Sequence, residues 1–214
     1  IAGEMGDELI TFLDSDDKLA DDAMEKAVQY FDAHEDVFVA AIGIRYFDAY
    51  EGEQRLNWRF EKTDVVDIKK DYTYPHYYVG GVFLRHAVLD ELHFDESLSF
   101  WEDALAVNQV IVSQGKYGLI AGTHYYYRKR EDESSLVDTA WHKKERYTTL
   151  LSSGYGQLFA YSRKKHHRII PYVQYMVAYH MRLMMMKSKQ SIIEEILSED
   201  ELAALRDDVQ KVLK

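Results

Sequence analysis

Three carboxylates fall within four positions at Asp14-Ser15-Asp16-Asp17, directly after the apolar run Ile10-Thr11-Phe12-Leu13. Two carboxylates spaced i, i+2 can hold one hard divalent cation, which prefers oxygen ligands and takes phosphate oxygens to complete its shell. A second reading stands beside that one: Asp16 and Asp17 cap the following helix by accepting from its orphan backbone N–H groups. An EF-hand loop starting at Asp14 is excluded, because Leu19 stands where that loop needs glycine and Lys18 where it needs an oxygen ligand. Two further charged groups stand out, Glu102-Asp103 and Arg128-Lys129-Arg130. Taken alone they read as first-turn helix carboxylates and a solvated strand end.

The elements that must carry these groups follow from periodicity. Residues 8–14 read as a buried strand, delivering the aspartates from its C-terminal end, where open α/β sheets bind ligands. A helix is expected over 18–34, with Leu19, Ala23, Ala27, Tyr30 and Phe31 at helical spacing, then a strand from Val37 to Phe47. Alternating Leu56, Trp58 and Phe60 predict another strand over 55–60 that closes a hairpin. Residues 64–76 follow no clear pattern. Tyr77 to Phe83 reads as a strand broken by Gly80-Gly81, a pair that marks a bulge or a close approach of backbone or ligand. Glu102-Asp103 open an amphipathic helix that Gly115 stops, and Tyr117 to Tyr127 is a strand ending at Arg128. From His142 onward the pattern is helical, over about 140–166, 170–188 with Pro171 in its first turn, and 199–213 with a capping box at Ser198 and Glu201.

Composition narrows the class. The 214 residues, 47% of them apolar, suffice for one domain or a domain with an appendage. No cysteine is present, which excludes disulfides and thiolate metal sites. The nine histidines include no H-x-x-x-H pair and none is assigned to metal. The apolar stretch 169–186 contains Gln174, His180 and Arg182, the mark of an amphipathic helix and not of a membrane span. Net charge is −11, unevenly spread: residues 1–138 carry −16, residues 139–189 carry +9 with Glu145 as their one acid, and residues 190–214 carry −4. A basic arm of this kind suits a polyanion; the competing reading has it dock on the acidic part of the same chain.

At this point the motifs meet a family. The segment Ala2-Gly3-Glu4 … Ile10-Thr11-Phe12-Leu13-Asp14-Ser15-Asp16-Asp17 resembles the A-x-G-E-Y-I-x-F-L-D-S-D-D block of family-2 glycosyltransferases with the GT-A fold. Phe100-Trp101-Glu102-Asp103-Ala104-Leu105 resembles their E-D motif, and Tyr126-Tyr127-Arg128-Lys129-Arg130 with Ser134-Ser135 their Y-x-Y-R-x-R…S element. The tail beginning Pro171-Tyr172-Val173-Gln174 is similar to helical extensions of bacterial cell-wall and capsule members. The resemblance implies an α/β fold, the C-terminal part of a GT-A mixed sheet over 1–138, followed by a helical extension over 139–214. The first half of the family's nucleotide-binding sheet has no counterpart, so the chain is expected to be an N-terminally truncated piece.

The resemblance also implies roles. Asp14 would lie at the donor ribose, and Asp16 would ligate Mg²⁺ or Mn²⁺ on the donor diphosphate. Arg128 would contact that diphosphate, with Arg130, Ser134 and Ser135 in the same loop. Asp103 would be the general base for an inverting transfer, ionised by the dipole at its helix start. Gly80, Gly81, Trp101 and Glu102 would line the acceptor side. The expected partners are a nucleotide-diphosphate sugar and a polysaccharide or anionic polymer, such as a polyol phosphate, with no nucleic acid. Self-association, and peripheral membrane contact through residues 139–189 at the inner face of a cytoplasmic membrane, are further expectations. Two other readings remain at this stage, a non-catalytic helical module on a degenerate α/β remnant and a nucleotidyltransferase, which leaves Glu102-Asp103 unexplained.

Overall fold

The computed structural model describes residues 8–131, 139–184 and 186–213. A seven-stranded mixed sheet forms its centre. The strands are β1 (Leu9–Thr11), β2 (Lys18–Leu19), β3 (Val39–Asp48), β4 (Gly52–Glu53), β5 (Val65–Asp67), β6 (Val82–Arg85) and β7 (Lys116–Lys129). The main order is β1-β6-β3-β7-β2, with β4 beside β3 and β5 beside β7. Only β3 and β7 run parallel within this set, and β6 is antiparallel to both of its neighbours.

Strand β3 shows why the sheet sits inside. Its first six residues are all buried, as expected when helices cover both faces. Val39 and Ala41 enter one apolar cluster, whereas Ala40, Ile42 and Ile44 enter the other, following the two-residue period of a strand. Helix α1 (Ala23–Ala33) covers the second face with Ala23, Ala27, Tyr30 and Phe31. Helix α2 (Glu102–Gln114) covers the first and stops at Gly115, which takes the left-handed conformation at φ 78°.

The C-terminal helices are α3 (Glu145–Thr149), α4 (Gly156–His166), α5 (Pro171–Met184), α6 (Lys187–Ile196) and α7 (Glu199–Val212). A π-helical turn, Leu150–Tyr155, joins α3 to α4. Tyr172, Val173, Met176, Val177 and Met181 of α5 share one apolar cluster with α2 and the sheet. Sheet and helical segment therefore have a continuous core. The capping box at the start of α7 forms as expected, with Ser198 and Glu201 bonding each other's backbone.

Five local expectations change. Residues 18–22 are not helical; Lys18–Leu19 pair with β7 and α1 begins at Ala23. Residues 57–61 form a 3₁₀ turn in place of a strand. There the buried side chains are Leu56 and Arg59, three apart, while Trp58 is 41% exposed. Strand β6 starts only at Val82, and Gly80 contributes a single bridge to Phe12. The helix expected over 140–166 is a broken series, and α6 falls at the end of the helix expected over 170–188.

Candidate active site

The aspartate cluster sits in a turn at the end of β1, closed by the Asp17 N–H bonding the Asp14 carbonyl at 3.1 Å. It is not a helix cap. Asp22 occupies the position before α1, five residues further on, and makes no side-chain cap either.

Tyr125 of β7 organises the turn. Its hydroxyl donates to Asp17 Oδ2 at 2.7 Å and accepts from the Asp14 N–H at 3.2 Å. The Arg128 N–H donates to Asp17 Oδ1 at 2.8 Å, so both oxygens of Asp17 are engaged. Burial outweighs these bonds and raises the Asp17 carboxyl above the ordinary carboxylate range. Asp17 is therefore a structural tie within the turn. Asp16 is ion-paired with Arg130 Nη2, and both side chains remain partly exposed. Arg128 donates through Nε to Asp48 Oδ2 at 2.6 Å, and Asp48 itself adopts φ 80° at the end of β3.

The glycine pair connects this turn to the E-D helix. A Cβ on Gly80 would lie 2.9 Å from the Tyr125 ring. Gly81 has φ 72°, and its Cβ would meet Tyr125 Cβ at 2.8 Å and Ile42 Cγ1 at 2.9 Å. The pair is thus glycine because Tyr125 packs against it. One residue earlier, the Val79 N–H bonds the Asp103 carboxylate, which also accepts from the Ala104 N–H at 2.6 Å. Asp103, residues 79–81, Tyr125 and the aspartate turn form one connected set.

Two expectations about this set need correction. The Asp103 carboxyl is not held down by its helix start. Burial, then the neighbouring Glu102 charge, push it up to about 7 against the pull of its backbone N–H partners. Trp101 offers no open face to an acceptor: it is 4% exposed, with Tyr155 edge-on at 5.0 Å and His180 stacked at 5.8 Å. It holds the left-handed φ of 74° that turns the chain into α2, so its role is to position Glu102 and Asp103. Ser134 and Ser135 lie outside the described residues. Sequence reasoning also missed Tyr125, whose only signal is its place in the run Tyr125-Tyr126-Tyr127, and Asp48, which nothing local distinguishes.

The donor chemistry can be tested on the residues present. No group of three or more metal-binding side chains converges among the described residues. Asp16 supplies hard oxygen, with a guanidinium already drawn to it. That fits Mg²⁺ or Mn²⁺ held by one or two carboxylates, with diphosphate oxygens and water completing the shell.

The chain's relatives now bear on this geometry. Residues 3–93 match the model described as glycosyl transferase family 2. Over that stretch the chain is similar to family 2 glycosyltransferases. Across 207 residues it is 39% identical to the "Minor teichoic acid biosynthesis protein GgaA" of Bacillus subtilis (strain 168), covering 96% of this chain and 46% of that protein. It is 30% identical to the "Minor teichoic acid biosynthesis protein GgaB" of the same strain over 208 residues, 95% of this chain and 23% of that one. The chain thus spans less than half of either relative. The solved structure of S. aureus TarS 1-349 superposes with a TM-score of 0.64 over 96% of this chain and 56% of that one, at 14% identity. That likeness establishes the GT-A-like mixed sheet with C-terminal helices. Among the described residues no helix is long and apolar enough to cross a membrane.

Proposed function

We propose that this chain is the catalytic part of a metal-dependent, inverting glycosyltransferase. It moves a sugar from a nucleotide-diphosphate donor to a hydroxyl of a teichoic-acid-type polyol-phosphate polymer. The observation that carries the reading is the single connected set formed by Asp103 and the aspartate turn, with a carboxyl near neutrality at its acceptor end. The polymer class is supported by the names of the two teichoic acid biosynthesis relatives.

On this reading Asp103 accepts the proton of the acceptor hydroxyl while that oxygen bonds to the anomeric carbon from the side opposite the donor. The bond from that carbon to the diphosphate breaks, and its electron pair leaves on the diphosphate. Asp14 holds the donor ribose. Asp16 is the carboxylate that would hold Mg²⁺ or Mn²⁺, which when bound neutralises charge developing on the diphosphate. Arg130, released from Asp16, and Arg128, released from Asp48, supply fixed positive forks to the same oxygens. Burial, with the Glu102 charge second, keeps Asp103 basic enough to accept a proton near neutral pH. The exposed run Arg163, Lys164, Lys165 and Arg168 supports contact with such an anionic polymer.

The test is sugar transfer by the complete protein that contains this chain, with Asp103→Asn as the variant. Transfer should fall by about 10²–10⁴-fold while donor binding, read by calorimetry with Mn²⁺, stays near the parent value. Transfer that survives the substitution would remove Asp103 from the chemistry.

A further inference from the structure

A series of tyrosines leads from an open groove toward Asp103. Tyr175 and Tyr179 stand four apart on α5 and share one face, half-buried, with their rings 6.2 Å apart. Tyr72, 43% exposed, touches Tyr175 at 6.3 Å. At the other end Tyr77 stacks on Tyr179 at 5.9 Å and 23°, fixed by its hydroxyl donating to the Met176 carbonyl at 2.6 Å. Two residues beyond Tyr77, the Val79 N–H bonds the Asp103 carboxylate. The outer end of the series opens into a shallow groove of about 470 Å³ between Tyr72 and the start of α5. Arg182, one turn beyond Tyr179 and exposed, lays its guanidinium over the Tyr179 ring at 4.6 Å. Stacking uses the flat face of a guanidinium and leaves its N–H edge for oxygen acceptors.

We propose that Tyr72 and Tyr175, backed by Tyr179 and Tyr77, form an extended track for the acceptor polymer, with Arg182 taking one of its phosphates. The inference rests on the proposed polyol-phosphate acceptor and names the surface that holds the polymer beyond the reacting unit. Tyrosine suits this work. Its ring packs against the C–H faces of a sugar or polyol, and it orders at small entropic cost. Tyr72 and Tyr175, which line the groove with rings about 6 Å apart, give a repeating polymer two successive contacts, and Tyr179 and Tyr77 behind them continue the series toward Asp103. A track of this kind holds a long acceptor more tightly than a short one without changing the chemical step.

The experiment uses the complete protein with a long polyol-phosphate polymer and with a single-repeat acceptor, comparing the parent, Tyr72→Ala/Tyr175→Ala, Tyr175→Phe and Arg182→Gln. The double alanine variant should raise KM for the long polymer about tenfold, leaving its kcat and all single-repeat kinetics unchanged. Tyr175→Phe, which keeps the ring, should match the parent, and Arg182→Gln should flatten the salt dependence of polymer KM. Equal losses on both acceptors would overturn the track and make the rings a support of the fold, as would a double variant that matches the parent. Gel retardation by the polymer, run alongside, is independent of transfer. If the parent transfers to neither acceptor but the polymer retards it and not the double variant, the enzymatic reading falls and the track stands. If neither protein is retarded, the track falls.

Discussion

At the residue scale the informative group is Asp103, because one physical cause sets both its activity and its cost. Its carboxyl is pushed up to about 7, so the base form appears as pH rises through neutrality, and kcat/KM should show an acid limb near that pH. The stability sign is opposite. In the unfolded chain the same carboxyl ionises near its ordinary value of 3.8, so between that pH and about 7 the folded state retains a proton that the unfolded state has lost. The stability of this position is thus fully present below the ordinary value and is lost as pH rises to about 7. Asp103→Asn, which cannot ionise, should unfold at a higher temperature than the parent at about pH 8 and at a similar temperature near about pH 4. Differential scanning measurements at both values check this; no gain at the higher pH would mean that the carboxyl is not desolvated as described. Tyr125 gives a companion prediction. Tyr125→Phe keeps the ring that packs on Gly80 and Gly81 but leaves Asp17 Oδ2 and the Asp14 N–H without their hydroxyl partner. Chemical denaturation should report a loss of about 1–2 kcal/mol, and the donor KM should rise because the aspartate turn loosens.

At the element scale two buried arginines that look alike in the sequence have opposite consequences. Arg59 is fully buried and well supplied: it donates to the Leu56 carbonyl at 2.9 Å, to Tyr117 Oη at 2.8 Å, to Tyr78 Oη at 3.2 Å and to the Pro75 carbonyl. It ties the 3₁₀ turn to the 75–78 loop and to β7. The alternation Leu56, Trp58, Phe60 does not make a strand because Arg59 turns inward, bonding the Pro75 carbonyl and the Tyr78 and Tyr117 hydroxyls. Arg146 on α3 lies between the rings of Phe100 at 4.1 Å and Trp141 at 3.7 Å, but its Nε and Nη1 are buried without an acceptor, and its pKa is lowered to about 10. Arg59→Met should cost about 2–4 kcal/mol, since several polar groups lose their donor. Arg146→Met should lie within about 1 kcal/mol of the parent, because lost ring contacts are offset by relief of unpaired donors. Urea midpoints at constant slope decide both, and equal large losses would show that Arg146 is a structural clamp.

Over the whole molecule, the charge division was legible in the sequence and the shared core was not. The carboxylates, the E-D pair and the order of the main elements could be read because each lies within one local pattern. Contacts such as Asp17 to Tyr125, 108 residues apart, depend on strand register, which no local pattern encodes. The core left one trace: α2 buries Ala104 to Asn108 and Val110 to Val112, apolar almost all round, as a helix must when it lies between a sheet and further helices. With that helix covered, the basic arm had nowhere to turn its charge but outward. Among the described residues the ion pair it makes is Lys144 with Glu201 of α7, whereas Lys165 bonds only the Ser113 hydroxyl on the body. Arg163, Lys164, Lys165 and Arg168 lie exposed together at and just beyond the end of α4. Replacing all four by glutamine should leave the unfolding midpoint within about 0.5 kcal/mol, as expected for exposed side chains. Binding to a polyol-phosphate polymer should weaken and become less salt-dependent, because fewer counterions are released on contact. Retention of the parent salt slope in a polymer-binding titration would place the polyanion contact elsewhere on the molecule.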